Sequence, residues 1–551
     1  MSGTDAAADL LVVGAPVYTA DPARRWADAV AVRDGRVAAV GAERDVVALR
    51  GPATRVLRLR GGLVLPGFHD AHVHPSSGGL ELRGCDLHEV EPAGYAAAVA
   101  RYAAGHPDRP WVVGGGWVMD AFPGGVPSRV ELDAVVADRP VFLASTDGHS
   151  AWVNSRALAV AGVTGTTPDP PRGRIERDTA GEPTGALHEE AMDLVGDLVP
   201  DPGPAEREAG IELGQAHLHR LGVTAWQDAL VSPETLAAYR AVAERGALTG
   251  RVVAAVKWEV KDGDAQLAAL PELTGTHTVG RLRASAVKHF QDGVFENRTA
   301  AMLDPYLDGD GAPTANRGIG MLPPDELARV VTALDRAGFD VHIHAIGDRA
   351  VREALDAFQA AADANGRRDS RHQIAHLQFV HPDDRPRFRR LGVVANAQPF
   401  WACLDGYMRE LTLPFLDPER AGWQYPWASL RRAGAVLAFG SDWTVSTANP
   451  LLELEVAVNR VAPGDRGGEP FLPEERLDLP AALDAFTIGS AYALRLEAET
   501  GSIQPGKLAD LAVLDRDPFD HAAGPIGDAR VLATLVDGEP VHADPALDLT
   551  G

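Results

Sequence analysis

The chain reads as an α/β protein. It is predicted to be a TIM-type (β/α)8 barrel with a small β-sandwich domain built from both termini and a large insertion after barrel strand 1. Three observations predict this. Apolar runs of strand length alternate with helical stretches through the middle of the chain, as βα units of a parallel sheet do. Short strands broken by Asp-Gly turns recur at the two ends. Histidines, a lysine and an aspartate fall at the ends of successive strands, where barrels keep their chemistry.

The N-terminal strands are Leu10–Val13, Ala29–Val32, Arg36–Val40 and Val56–Leu59, with turns at Asp34-Gly35 and Gly61-Gly62. Asp510–Leu514 and Val531–Val536, followed by Asp537-Gly538, repeat the style at the other end. Residues 1–65 and 500–551 are therefore assigned to one composite β domain, and 66–499 to the barrel. The first barrel strand ends in His72-Val73-His74. The others are Val223–Asp228, Val252–Val256, Ala284–Phe290, Val341–His344, Gln373–Leu377, Val393–Ala397 and Val436–Phe439. Pro324–Ala337, Ala350–Asn365 and Pro382–Leu391 read as helices between them. Residues 76–215 are too long for a βα connection and read as an insertion subdomain over the barrel mouth.

At 551 residues the chain is long enough for two or three lobes, and its 45% apolar content is that of a globular enzyme. A formal net charge of -25 argues against nucleic acid and anionic membranes as partners. The two cysteines, Cys85 and Cys403, form no disulfide framework. Met1-Ser2-Gly3-Thr4-Asp5 lacks the basic start of a signal peptide, and no apolar run reaches the length of a membrane span. The expectation is a cytoplasmic protein acting on a small molecule, with a homodimer as its assembly.

The chemistry begins at His72 and His74. Residues two apart on a strand share a face, so the two imidazoles project together, as a divalent cation such as zinc requires. Four later strand ends add Lys288, His344, His376 and Asp442. His217 and His219 repeat the spacing, but in a helix they lie about 200° apart and read as solvated. His342 shares the face of His344, His289 lies opposite Lys288 and reads as packing, and His69 has no assigned role. Lysine occurs only at 257, 261, 288 and 507, so Lys288 in an apolar strand needs a reason that arginine would not satisfy. Burial favours a neutral amine, which can add carbon dioxide, whereas a guanidinium cannot. The bland alternative is a salt bridge to a carboxylate, with a single metal.

The order His-x-His, Lys, His, His, Asp along a barrel resembles the amidohydrolase superfamily. Its phrasing is similar to the family 3 branch, which includes the N-substituted formamide deformylases. The matching segments are Leu65-Pro66-Gly67-Phe68-His69-Asp70-Ala71-His72-Val73-His74, His344-Ala345-Ile346-Gly347-Asp348-Arg349-Ala350, Gly440-Ser441-Asp442-Trp443 and Gly506-Lys507-Leu508-Ala509-Asp510-Leu511. The resemblance implies a divalent metal, zinc first, as one or two ions. His72 and His74 would hold the first, His344 and His376 the second, with Asp442 as ligand and a carbamylated Lys288 as bridge. It implies hydrolysis of a carbon–nitrogen bond by hydroxide drawn from a metal-activated water, with Asp442 as the acid–base. A deaminase, a lactonase or a non-catalytic binding or assembly protein on the same barrel is the alternative.

For the substrate, no basic cluster or glycine-rich phosphate loop lies beside these strands. Trp117, Trp152, Tyr306, Phe400, Trp401 and Trp443 recur there instead, with His149 and Gln398 among them. An N-acyl or N-formyl amine with an apolar or aromatic substituent is expected, contacted by His149, Trp117, Gln398 and Trp401.

Overall fold

The computed structural model describes residues 7–88, 90–545 and 547; Met1–Asp5, read above for a signal, and the last residues of the composite domain lie outside them. The barrel strands are Phe68–Val73, Val223–Val231, Arg251–Lys257, Leu282–Phe290, Asp340–Ala345, Gln373–His376, Val394–Ala397 and Val436–Phe439. Each pairs in parallel with the next in chain order. All eight lie where their apolar runs predict, because strands buried on both faces must be apolar almost throughout.

The last strand meets the first just beyond its end. Asp442 N–H donates to the His72 carbonyl at 2.7 Å and His74 N–H to the Trp443 carbonyl at 2.8 Å. Gly440 makes this approach possible: a Cβ there would stand 2.5 Å from the His72 nitrogen. Helices such as Pro324–Ala337 and Asp348–Asn365 cover the outside, burying Leu327, Val330, Val331 and Leu334 in one and Val351, Ala354, Leu355 and Phe358 in the other.

Strands from both ends of the chain share one sheet. Leu63–Pro66, just before the first barrel strand, pairs antiparallel with Leu511–Leu514. Asp34-Gly35 and Asp537-Gly538 both have positive φ at both residues, as type I′ hairpin turns need. The eight strands of this domain are hydrogen-bonded into one continuous sheet. Leu10–Tyr18 pairs with three strands, and residues from both halves, including Val12, Leu57, Val513 and Leu535, share one core.

Within 76–215 lies a six-stranded sheet that includes Val112–Trp117, Val141–Ser145, Ser150–Val153 and Pro183–Glu189. Its turn at residues 146–149 brings the His149 ring within 5.2 Å of His344, so this sheet roofs the barrel mouth. Among the described residues, no helix is long and apolar enough to cross a membrane.

Candidate metal centre and its cleft

His72 and His74 leave the first strand side by side, their ring centroids 5.3 Å apart. Asp442 arrives from the last strand. Its Oδ1 lies 3.2 Å from His72 Nε2 and 3.0 Å from His74 Nε2. One donor atom from each of these three residues lies within 4.8 Å of the others. Lys288 Nζ is 3.4 Å from His72 Nε2. The His376 ring sits 4.8 Å from that of His72 and 4.3 Å from that of His344, and its Nδ1 is 3.7 Å from Asp442 Oδ2. The six residues read from strand ends therefore converge on one spot. His344 differs in aim: its Nε2 faces the Gly293 carbonyl at 3.2 Å.

Two of these residues depend on unusual backbone. His376 has φ +76° and Asp442 φ +54°, left-handed values that non-glycine residues seldom adopt and that gather at functional sites. On a regular strand His376 would point opposite to Gln373, which lies inside the barrel. The left-handed turn brings its ring back to the mouth.

The electrostatics suit a cation. Burial holds His72, His344 and His376 well below the ordinary imidazole range, so all three are neutral and their nitrogens can coordinate. Burial works against ionisation of Asp442, but the close approach of the His74 imidazole and the charge interaction with His376 prevail and lower its pKa. Burial brings the Lys288 amine down to about 7. Among the described residues no carboxylate lies within ion-pair distance of Lys288; its neighbours are His72 and the Phe290 ring, 4.8 Å away. Asp442 Oδ1 and His376 Nδ1 are buried without hydrogen-bond partners. Orphaned buried acceptors are rare, and a divalent cation satisfies both. The donor set fits the implied metal.

Below the centre runs a row of buried polar side chains that strand patterning did not single out. His342 Nε2 is 2.8 Å from His72 Nδ1, and Gln227 hydrogen-bonds the other His342 nitrogen. The row continues through Gln373 and Asn396 to Gln398. Gln398 Oε1 accepts from the His376 N–H at 2.8 Å. Gln398, expected as a substrate contact, is thus fully buried at the strained turn of His376 and does not line the cleft. Trp117 also leaves the predicted contact set. It ends a strand of the insertion, is wholly buried, and donates to the Leu143 carbonyl inside that subdomain's core. Trp152 and Tyr306 are likewise buried, with hydrogen bonds to the Ser128 and Ala300 carbonyls.

Phe400, Trp401 and Trp443 do line the cleft, a cavity of about 480 Å³ that opens onto His344, His376 and Asp442. Trp401 stacks on His376 at 5.5 Å. His149 lines the same cleft and bonds through Nδ1 to Glu189 at 2.8 Å. Burial lowers the His149 pKa, but the Glu189 charge and hydrogen bond overcome it and raise the value to about 9. Glu189, and Asp292 beside His344 at 3.6 Å, were missed. Asp292 had a signal, standing just past the strand carrying Lys288; Glu189 had none.

His219 is buried, not solvated. Its nitrogens meet the Val223 carbonyl and the Thr249 hydroxyl, both at 2.9 Å, while the half-buried His217 stacks on Trp443. Burial lowers the His219 pKa to about 4. The unfolded chain takes a proton near pH 6.5 and the fold does not. Stability contributed by His219 is therefore complete above that pH and lost as pH falls towards 4, by up to about 3 kcal/mol. Denaturant midpoints across this window should fall less steeply for His219→Gln than for the native chain; parallel profiles would contradict the assignment.

A parallel eight-stranded barrel with two histidines, an aspartate and a buried lysine at its mouth defines a metal-dependent hydrolase. The family model described as amidohydrolase family matches residues 55–542, and the chain belongs to that family. It is 33% identical to Protein LONG AFTER FAR-RED 3 of Arabidopsis thaliana, over 97% of this chain and 92% of that one. It is 30% identical to the N-substituted formamide deformylase of Arthrobacter pascens, over 96% of this chain and 97% of that one. The crystal structure of a metal-dependent hydrolase from Pyrococcus horikoshii covers 94% of this chain and 99% of its own, with TM-score 0.73 and 26% identity.

Proposed function

We propose that the protein hydrolyses the carbon–nitrogen bond of a linear N-acyl or N-formyl amine. The observation that supports this most directly is the Asp442 carboxylate, ringed by His72, His74 and His376 and opening onto a half-aromatic cleft. His72, His74 and Asp442 would hold a divalent cation, zinc being the first choice, with His344, His376 and a carbamylated Lys288 available to a second. When bound, the cation supplies Lewis acidity for the amide carbonyl and for water.

The rest falls to the chain. Asp442 takes the proton of the attacking water and returns it to the departing nitrogen, so the amine leaves neutral. His149, held at Nδ1 by Glu189, presents Nε2 to the cleft and donates to the carbonyl oxygen as negative charge grows there. Trp401 and the roof formed by the insertion exclude bulk water and orient the acyl group.

The test is a screen of formyl and acetyl amides, lactones and amino-heterocycles, with released amine, acid or ammonia measured before and after chelation. Amide cleavage that disappears on chelation is expected. Preferential ammonia release or lactone opening would assign the barrel to one of those chemistries instead.

A further inference from the structure

We propose that the cleft selects amides whose amine substituent is positively charged, an ammonium or guanidinium group seated between Glu296 and Asp405 and walled by Trp401, Tyr407 and Tyr425. This rests on the hydrolase reading above and narrows its substrate. All five residues line the cavity that opens onto His376 and Asp442, whose buried Nδ1 and Oδ1 lack hydrogen-bond partners. The substituent of a substrate reacting at Asp442 can extend into this lobe.

The lobe has a sign. Among the described residues that line it, none is lysine or arginine. Glu296 accepts the Thr412 hydroxyl, at 3.0 Å, and Asp405 the Met408 N–H, at 2.8 Å. Arg409, the cation that Asp405 senses, is exposed and turned to the Leu404 carbonyl. Burial, with the charges of Asp147 and Asp405 adding to it for Glu296 and that of Asp120 for Asp405, pushes Glu296 up to about 7 and Asp405 to about 6. Two such carboxyls beside aromatic faces are short of a cation, and rings at this position attract one through their π faces. The other half of the mouth is different. There Lys257 pairs with Glu259 at 2.9 Å and Arg172 with Glu190 at 2.8 Å, while Lys261 and Lys288 line that side with no carboxylate in ion-pair contact among the described residues. The expectation of an apolar or aromatic substituent rested on the rings; the two carboxylates come from loops after different strands.

The experiment compares the mono-N-formyl derivative of para-(aminomethyl)benzylamine with that of para-ethylbenzylamine, nearly equal in shape and different in charge. For the native enzyme, kcat/KM should favour the cationic amide by roughly tenfold or more. That ratio should collapse towards one in Glu296→Gln/Asp405→Asn. Equal or better use of the neutral amide by the native enzyme overturns the proposal. Calorimetric binding of the same two amides to the native protein separates the two layers. Tighter binding of the cation without turnover upholds the pocket and removes the hydrolase reading; equal binding removes the pocket.

Discussion

Asp442→Asn is expected to lower amide turnover by about 10²- to 10⁴-fold, the range for losing a positioned acid–base group. The substitution preserves size and one ligand oxygen but leaves an amide that cannot accept a proton. Its neighbours constrain the outcome: Asp442 is 3.0 Å from His74 and 3.2 Å from His72, in a backbone turn already at φ +54°. The variant should therefore fold and retain metal while the chemical step slows. Measuring kcat with metal content on the same sample checks this. Native-like turnover with metal bound would move the proton to another group of the cleft, such as His376 or His149.

Lys288→Met should be the second most damaging change. It keeps the length and the packing against Phe290 while removing the amine. Losses of about 10- to 100-fold in metal affinity or activity are expected, comparable to those for removing a group that supports a metal ligand. With an amine brought to about 7 and no carboxylate partner among the described residues, Lys288 is chemically able to form a carbamate. Intact-mass measurement under carbon dioxide should show that adduct in the native protein and not in the variant, and short carboxylic acids should restore part of the activity of Lys288→Ala, whose truncated side chain leaves them room. An unmodified Lys288 together with a fully active Met variant would make the lysine a packing residue.

The barrel and its metal ligands were legible because their signals are local. Val252–Val256 is an uninterrupted apolar run, Val341–Ala345 alternates apolar residues with His342 and His344, and His72 and His74 share a strand face by the same alternation. Where alternation breaks, local reading loses precision. His376 reaches the centre through a left-handed residue, which a strand pattern does not encode, and it was found only as a histidine at a strand end. Trp117 was expected to contact substrate, but Val112–Trp117 is a strand that points the indole into its own core. Gln398 lies two residues beyond Asn396 and shares its inward face, so it joins the buried row and not the cleft. The acidic lobe was invisible for a different reason. Glu296 and Asp405 are far apart in the chain and sit in loops, where no periodicity reports which side chains meet.

The central claim is that His72, His74 and Asp442 hold a divalent cation on which amide hydrolysis depends. Its most direct test is a titration of zinc into chelated protein, following bound metal and released amine together. Activity should be absent at the start and rise in proportion to tightly bound zinc, with both lost in His72→Ala/His74→Ala. Full amide hydrolysis by protein verified to be free of metal would contradict the account.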